Sequence, residues 1–259
     1  MFLVFFFVMD VYLYSESVFT YGLKKDIVIS TISIGVFFSR NLMSSERESG
    51  IPSNNLNRND VNIFDRGLIF PSSNAIDSVR NYLSPVLFVL PAISPLAVAG
   101  LDIRRRQNFD TWLTYGIMYS QALLLSSGTR RFFGRAIDRY RPRYYFMDVK
   151  GRSSCMRSFP SGTTAYAFMP ATFFSVTFSA EFPESPWRIP VIAASHTLAA
   201  IIGASRIFGG RHFLTDVLAG AALGSFYGWL IPTLHRRTNE ESIISPVVTG
   251  NGIMLSLKF

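Results

Sequence analysis

The run VLAGAALGSFYGWLIPTL, residues 217–234, is eighteen residues long and contains no Asp, Glu, Lys or Arg. A helix that crosses the hydrocarbon core of a bilayer needs roughly 20 mostly apolar residues, within about 17–25. Charged side chains are costly there, so uncharged runs mark candidate spans. Four more such runs lie upstream: residues 81–101 (21 long), 111–129 (19), 158–180 (23) and 189–205 (17). A sixth and weaker one, around Ile27–Met43, is interrupted by Arg40, whose long stem can carry its charge to an interface. Five uncharged runs of spanning length in 259 residues are hard to bury in a water-soluble core. The sequence therefore predicts an all-α integral membrane bundle of about six transmembrane helices. Pro85, Pro91 and Pro95 kink the run at 81–101 rather than exclude it, because neighbouring helices re-satisfy the carbonyls that proline releases.

Composition narrows the class further. Apolar residues make up 49% of the chain and charged ones only 16%, against about 25% charged in a soluble domain. That balance excludes a disordered chain, which needs low hydrophobicity and high charge. The single cysteine excludes an intramolecular disulfide framework and argues against a Cys-based zinc site. Outside the core predicted at 80–236, three segments stand apart. Residues 1–44 open with the apolar run 2–9, closed by Asp10, and read as a weak first transmembrane helix or a signal-like region. Residues 45–79 read as a polar loop. Residues 237–259 end in alternating Ile253, Leu255, Leu257 and Phe259, either a short strand or interfacial segment, or a loose tail.

Net charge is +8, from 25 basic and 17 acidic residues, and much of it is local. Loop 130–157 holds nine basic residues (Arg130, Arg131, Arg135, Arg139, Arg141, Arg143, Lys150, Arg152 and Arg157) against Asp138 and Asp148, a local charge of +7. The positive-inside rule puts the loop with Arg104, Arg105 and Arg106 in the cytoplasm. Loops 130–157 and 206–216 then share the opposite face. A basic loop on the non-cytoplasmic side suggests a job for the charge, such as holding an anionic substrate.

Three short segments carry the chemistry. In Ser205-Arg206-Ile207-Phe208-Gly209-Gly210-Arg211-His212-Phe213-Leu214-Thr215-Asp216, a helix starting near His212 would set His212 and Asp216 four apart on one face. An aspartate there can fix the imidazole tautomer and leave the other ring nitrogen as nucleophile or base. Arg206 is a natural fork for phosphate oxygens. In Ser158-Phe159-Pro160-Ser161-Gly162-Thr163-Thr164, Ser161 and the N–H groups of a helix start can cradle an anion. In Arg139-Tyr140-Arg141-Pro142-Arg143, proline stiffens an arginine-rich turn. Each segment has a bland reading as interface histidine, helix cap, turn or solvated loop. Together, at the mouths of uncharged helices, they converge on phosphate binding.

These segments resemble the signature of the type 2 phosphatidic acid phosphatase (PAP2) superfamily, which also contains vanadium haloperoxidases. Its three parts are K-x6-R-P, P-S-G-H and S-R-x5-H-x3-D. Ser205, Arg206, His212 and Asp216 match the third in full. Pro160, Ser161 and Gly162 match the second, and Arg141 and Pro142 the first. The resemblance covers roughly residues 110–235 and implies a PAP2/haloperoxidase-like helical core. Two positions depart from it: Gly134 stands where the lysine is expected, with Arg135 next door, and Thr163 stands where the histidine is expected.

The resemblance implies hydrolysis of a lipid phosphomonoester or diphosphate through a phosphohistidine on His212. Asp216 would stabilise the imidazolium, and Arg206, Arg141, Ser161, Gly162 and Arg135 would bind the phosphate. It also implies that no metal or other cofactor is needed, because arginines supply the positive charge. The expected partners are the lipid phosphate or diphosphate and the bilayer, with no nucleic acid. The expected place is a bacterial inner membrane with the site on the non-cytoplasmic face. Threonine at 163 cannot protonate a leaving group as histidine would, and loss of general-acid help typically costs about 10²–10⁴-fold. That tilts the substrate towards a lipid diphosphate, whose leaving group is already good. His196 is a candidate replacement acid, although a core histidine bonded to a neighbouring helix fits its position better. The competing reading is a catalytically impaired relative that binds phospholipid headgroups without turnover.

Overall fold

The structure is a computed structural model that describes residues 17–42, 56–89, 108–146, 157–237, 244–249 and 252–257. The opening apolar run and the Arg104–Arg106 cluster fall outside these residues. In chain order the helices are α1 (Leu23–Phe38), α2 (Ile63–Arg66), α3 (Asn74–Val89), α4 (Asn108–Ala136), α5 (Gly162–Glu181), α6 (Arg188–Phe208) and α7 (Leu214–His235). All but the one-turn α2 have 16 residues or more, so among the described residues six long helices overlap the six expected runs, with residues 90–101 of the run at 81–101 outside the described residues. Among the described residues, α6 and α7 are long and apolar enough to cross a membrane. The others are less uniform: α1 starts with Lys24, Lys25 and Asp26, and α4 carries Arg130, Arg131 and Arg135 in its last two turns.

Two boundaries differ from the sequence reading. The helix expected over 81–101 begins at Asn74, and its first turn includes the buried Asp77. Residues 45–79 are thus more than a polar loop, since they contain α2 and the start of α3. Hydropathy cannot find a helix start whose charged residue is buried against a distant partner. The tail forms an antiparallel hairpin, with β1 (Ile244–Thr249) paired to β2 (Gly252–Leu257). The alternating reading of that segment therefore holds.

The bundle exposes large apolar side chains and buries polar ones among its core residues. Leu218, Phe226, Trp229 and Leu234 of α7 and Ile201 of α6 are exposed. Thr164, Ser175, Thr177, Gln121 and Ser126 are buried. Exposed large apolar side chains along both long helices suit a lipid environment. One core cluster joins Phe19, Tyr115, Met118, Phe173 and Ile231. A second joins Leu87, Ala167, Ala171, Ala199 and Ile202. At one end of the bundle two buried acids tie helices together. Asp26 accepts from Gln121 at 3.1 Å and meets His235 Nε2 at 2.5 Å. Glu181 accepts from Ser17 at 2.6 Å and Tyr115 at 3.0 Å.

The contact that positions the chemistry is between α5 and α7. Gly220, Gly224 and Gly228 recur every fourth residue along one stripe of α7. A Cβ on them would collide with the carbonyl oxygens of Ser161, Ala165 and Met169. Small residues at this spacing let two helix backbones approach closely. The approach sets the two helix starts side by side, and Ser161 N–H donates to the Asp216 carbonyl at 2.9 Å.

Candidate active site

His212 lies in the turn between α6 and α7, not in a helix. α7 begins at Leu214, after Phe213 as its cap. The N–H groups of Arg211 and His212 both donate to the Arg206 carbonyl, at 3.0 and 3.1 Å. Gly210 takes φ +66° to close this turn, a left-handed value that glycine adopts without strain. A side chain there would also strike the carbonyl oxygens of Phe70 and Pro71. The expectation that His212 and Asp216 share a helix face is therefore corrected: the histidine precedes the helix, and the aspartate sits in its first turn.

The imidazole is oriented by backbone. His212 is 4% exposed, and its Nδ1 lies 2.8 Å from the carbonyl oxygen of Ser158. A carbonyl can only accept, so Nδ1 carries the proton and Nε2 carries the lone pair. Nε2 faces Nη1 of Arg141 at 3.4 Å. The Asp216 carboxylate is 3.8 Å from Nδ1. Its strongest bonds go elsewhere: Ser158 Oγ donates to it at 2.5 Å, Arg139 Nη1 at 2.5 Å and the Phe213 N–H at 2.9 Å. Asp216 therefore organises the neighbourhood of the ring and supplies a negative charge beside it. Burial pushes the His212 pKa down, the adjacent Asp216 opposes this, and the Arg141 charge pushes it down again, to about 4. The ring is neutral at pH 7.

Arg141 comes from the turn after α4, next to the short helical turn Pro142–Phe146. Its Nη1 donates to the Arg211 carbonyl at 3.3 Å and its Nη2 to the Arg157 carbonyl at 3.2 Å. Burial, then the charges of Arg143 and Arg211, bring its pKa down to about 10, so it stays cationic at neutral pH. Ser161 caps α5, with Oγ 2.8 Å from Thr164 Oγ1 and 3.4 Å from the Thr164 N–H. Gly162 opens the helix, and the Arg130 side chain packs against it so closely that a Cβ there would lie 2.7 Å from Arg130 Cδ. Thr163 is half-buried one residue further on.

Arg206 is buried, and its guanidinium forms a salt bridge with Asp77. The same aspartate holds Arg211 at 3.0 Å. Arg135 and Gly134 line a separate cavity together with Arg130, Arg131 and Arg157. His196 lies within α6, with Nδ1 2.9 Å from the Ile192 carbonyl and Nε2 3.2 Å from Thr172 Oγ1. These are the contacts of a helix-packing histidine.

Sequence reasoning missed two acids that shape the site. Asp65, on α2, is fully buried. It takes Arg139 Nη2 at 2.5 Å, Thr215 Oγ1 at 2.6 Å, the Thr215 N–H at 2.9 Å and Asn62 Nδ2 at 2.6 Å. Burial raises its pKa, but these donors outweigh that and hold the carboxyl below its ordinary value. Arg139 thus bridges Asp65 to Asp216. Asp77, at the start of α3, does the equivalent for Arg206 and Arg211. Both acids sit in the stretch read as a polar loop, and the only hint was an acid within reach of a strongly basic region.

Residues 115–240, which include all of these catalytic candidates, match the sequence model of the PAP2 superfamily. This part of the chain belongs to that superfamily. Within the PAP2 portion lie the motif histidine, aspartate and arginines, whereas Asp65 and Asp77 lie ahead of it. The chain is 39% identical over 88 residues to lipid A 1-phosphatase of Porphyromonas gingivalis. That stretch is 34% of this chain and spans 18% of the length of that protein. A crystal structure of a transmembrane PAP2 type phosphatidylglycerolphosphate phosphatase from Bacillus subtilis is also similar, with a TM-score of 0.45 and 18% identity. The similarity covers 81% of this chain and 95% of that one.

Proposed function

We propose that this chain is a membrane lipid phosphatase in which His212 takes the phosphoryl group. The observation that carries the reading is the imidazole geometry. Nδ1–H is committed to the Ser158 carbonyl, and Nε2 presents its lone pair beside the Arg141 guanidinium. In the first step Nε2 forms a bond to phosphorus and the bond from phosphorus to the lipid oxygen breaks. The leaving oxygen carries the electron pair. Arg141 and the N–H of Gly162 offset charge on the transferred oxygens, which is commonly the largest catalytic contribution. Asp216, through Ser158 and its own charge, favours the phosphorylated ring. Water then attacks the phosphohistidine and releases inorganic phosphate, which restores neutral His212.

Arg206 enters this scheme as a positive charge fixed by Asp77. Thr163 holds no proton to give near neutral pH, so a diphosphate is the better substrate and a monoester the slower one. The protein sits in a bacterial inner membrane with its site on the non-cytoplasmic face. Phosphate release by purified protein in detergent tests the activity, on phosphatidic acid, phosphatidylglycerol phosphate and undecaprenyl diphosphate. His212→Ala should abolish release, and equal release by both proteins would remove the reading. The orientation is tested by a Cys155→Ser, Asp138→Cys variant, since Asp138 is exposed. An impermeant thiol reagent should label it from the periplasmic side of intact cells.

The second reading is headgroup binding without turnover. Gly134 and Thr163 favour it, because each lacks a functional group that the superfamily signature contains. Tight lipid phosphate binding with no phosphate released would select it.

A further inference from the structure

The one-turn helix α2 has an inward and an outward side. Asp65 is fully buried, whereas Ile63 is 80% and Phe64 74% exposed. A helix turns about 100° per residue, so an inward Asp65 aims the two residues before it away from the bundle. The turn is held in place. Asn62 caps it by accepting the Asp65 N–H at 3.1 Å, and Arg66 Nη2 reaches back to the Asn59 carbonyl at 2.7 Å. A fixed pair of large apolar side chains at such exposure suits an apolar partner.

The place of α2 in the bundle names that partner. Asp65 accepts from both the N–H and the Oγ1 of Thr215, in the first turn of α7. Leu218, three residues on and therefore on the same side of α7, is 57% exposed. It opens the set of exposed apolar residues on α7 that includes Phe226 and Trp229. α2 thus sits where the apolar surface of α7 meets the end of the bundle that holds His212. The exposed Arg58 and Arg66 flank the apolar pair, with Asp60 the exposed acid between them and it. Arg58 lies over the Phe146 ring at 4.1 Å. An apolar tip between arginines matches the boundary between acyl chains and anionic headgroups.

We propose that α2 is an interfacial anchor: Ile63 and Phe64 enter the leaflet on the active-site side, and this insertion steadies Asp65 on Thr215. The inference does not depend on the reaction at His212. The Thr215 N–H belongs to the first turn of α7, where no intrahelical acceptor exists. Its protection from solvent therefore reports the Asp65 bond directly.

The test uses the full chain in nanodiscs of phosphatidylethanolamine and phosphatidylglycerol. In a Cys155→Ser background, nitroxide labels are placed by Phe64→Cys and, as control, Asp60→Cys. The label at 64 should collide with dissolved oxygen more than with an aqueous nickel chelate, and the label at 60 should do the reverse. Separately, hydrogen exchange at the Thr215 N–H should quicken tenfold or more in the pair Ile63→Ser, Phe64→Ser, and stay within twofold of wild type in the pair Ile63→Leu, Phe64→Leu. A label at 64 as open to nickel as that at 60, or shielded from both reagents by protein, overturns the proposal. So does Thr215 exchange that is unchanged in the serine pair or equally fast in the leucine pair.

Discussion

Arg206 is salt-bridged to Asp77, a residue 129 positions earlier in the chain. The pair joins the end of α6 to the start of α3, and Arg211 binds the same carboxylate from the other side. A buried guanidinium that keeps its charge needs such a counter-charge. Breaking a buried pair by removing one partner typically costs about 3–5 kcal/mol. Asp77→Asn is expected to destabilise the protein on that scale and to reduce phosphate release, as read by thermal unfolding in detergent and by initial rates. A variant with unchanged melting and rate would show that Asp77 does not organise the turn.

Asp65 acts at one remove, through Arg139 and Thr215. Asp65→Asn keeps the shape and loses the charge that holds Arg139 against Asp216. We expect kcat to fall on the order of 10-fold or more with KM little changed, because Asp65 touches no substrate. A rise in KM at constant kcat would instead place Asp65 in lipid binding.

The depressed His212 pKa sets a pH dependence. Protonated imidazole cannot attack phosphorus, so phosphohistidine formation should fail as pH drops through the pKa of the folded protein. That places the acid limb near 4, below the 6.5 of an ordinary histidine. Single-turnover formation of the phosphoprotein from a lipid diphosphate, followed from pH 3.5 to 8, measures it. A limb at 6.5 would mean that the ring is solvated rather than buried.

Thr163 separates two substrate classes. Thr163→His should speed monoester hydrolysis, towards the roughly 10²–10⁴-fold range of general-acid help, and leave diphosphate hydrolysis nearly unchanged. Equal rates for wild type and variant on a monoester would remove the reason for preferring the diphosphate.

The glycine stripe of α7 gives a prediction with its own control. Gly224→Ala puts a methyl group into the carbonyl of Ala165 and should cost about 1–3 kcal/mol, the usual scale of overpacking. At Gly116, in α4, a Cβ would meet nothing within 4 Å, and Gly116→Ala should be neutral or slightly stabilising. Thermal unfolding of the two variants side by side tests the contrast.

Much of this molecule can be read from its residues. Uncharged runs overlap the six long helices of the described residues, and follow α6 and α7 most closely, because hydrocarbon excludes charge along a continuous stretch. The spacings in Ser205–Asp216 and Ser158–Thr164, with the Arg-Pro turn, point to one anion site. The structure brings His212, Arg141 and the start of α5 together. What escapes is set by contacts between distant residues. Asp65 meets Thr215 across 150 positions, and no local pattern marks that. The start of α7 at Leu214 depends on two N–H groups converging on the Arg206 carbonyl, which spacing alone does not reveal. The shift of α3 to Asn74 follows from Asp77, a charge that hydropathy reads as an end and that packing makes an interior residue.

The salt bridges from Asp65 and Asp77 bear on how far this protein can be trimmed. An excised fragment covering 115–240 would retain the complete superfamily match, yet Arg139 would lose one of its two aspartates, and Arg206 and Arg211 their shared one. Such a fragment would have the recognisable motifs without the anchors that aim them, so the smallest working unit begins upstream of α2.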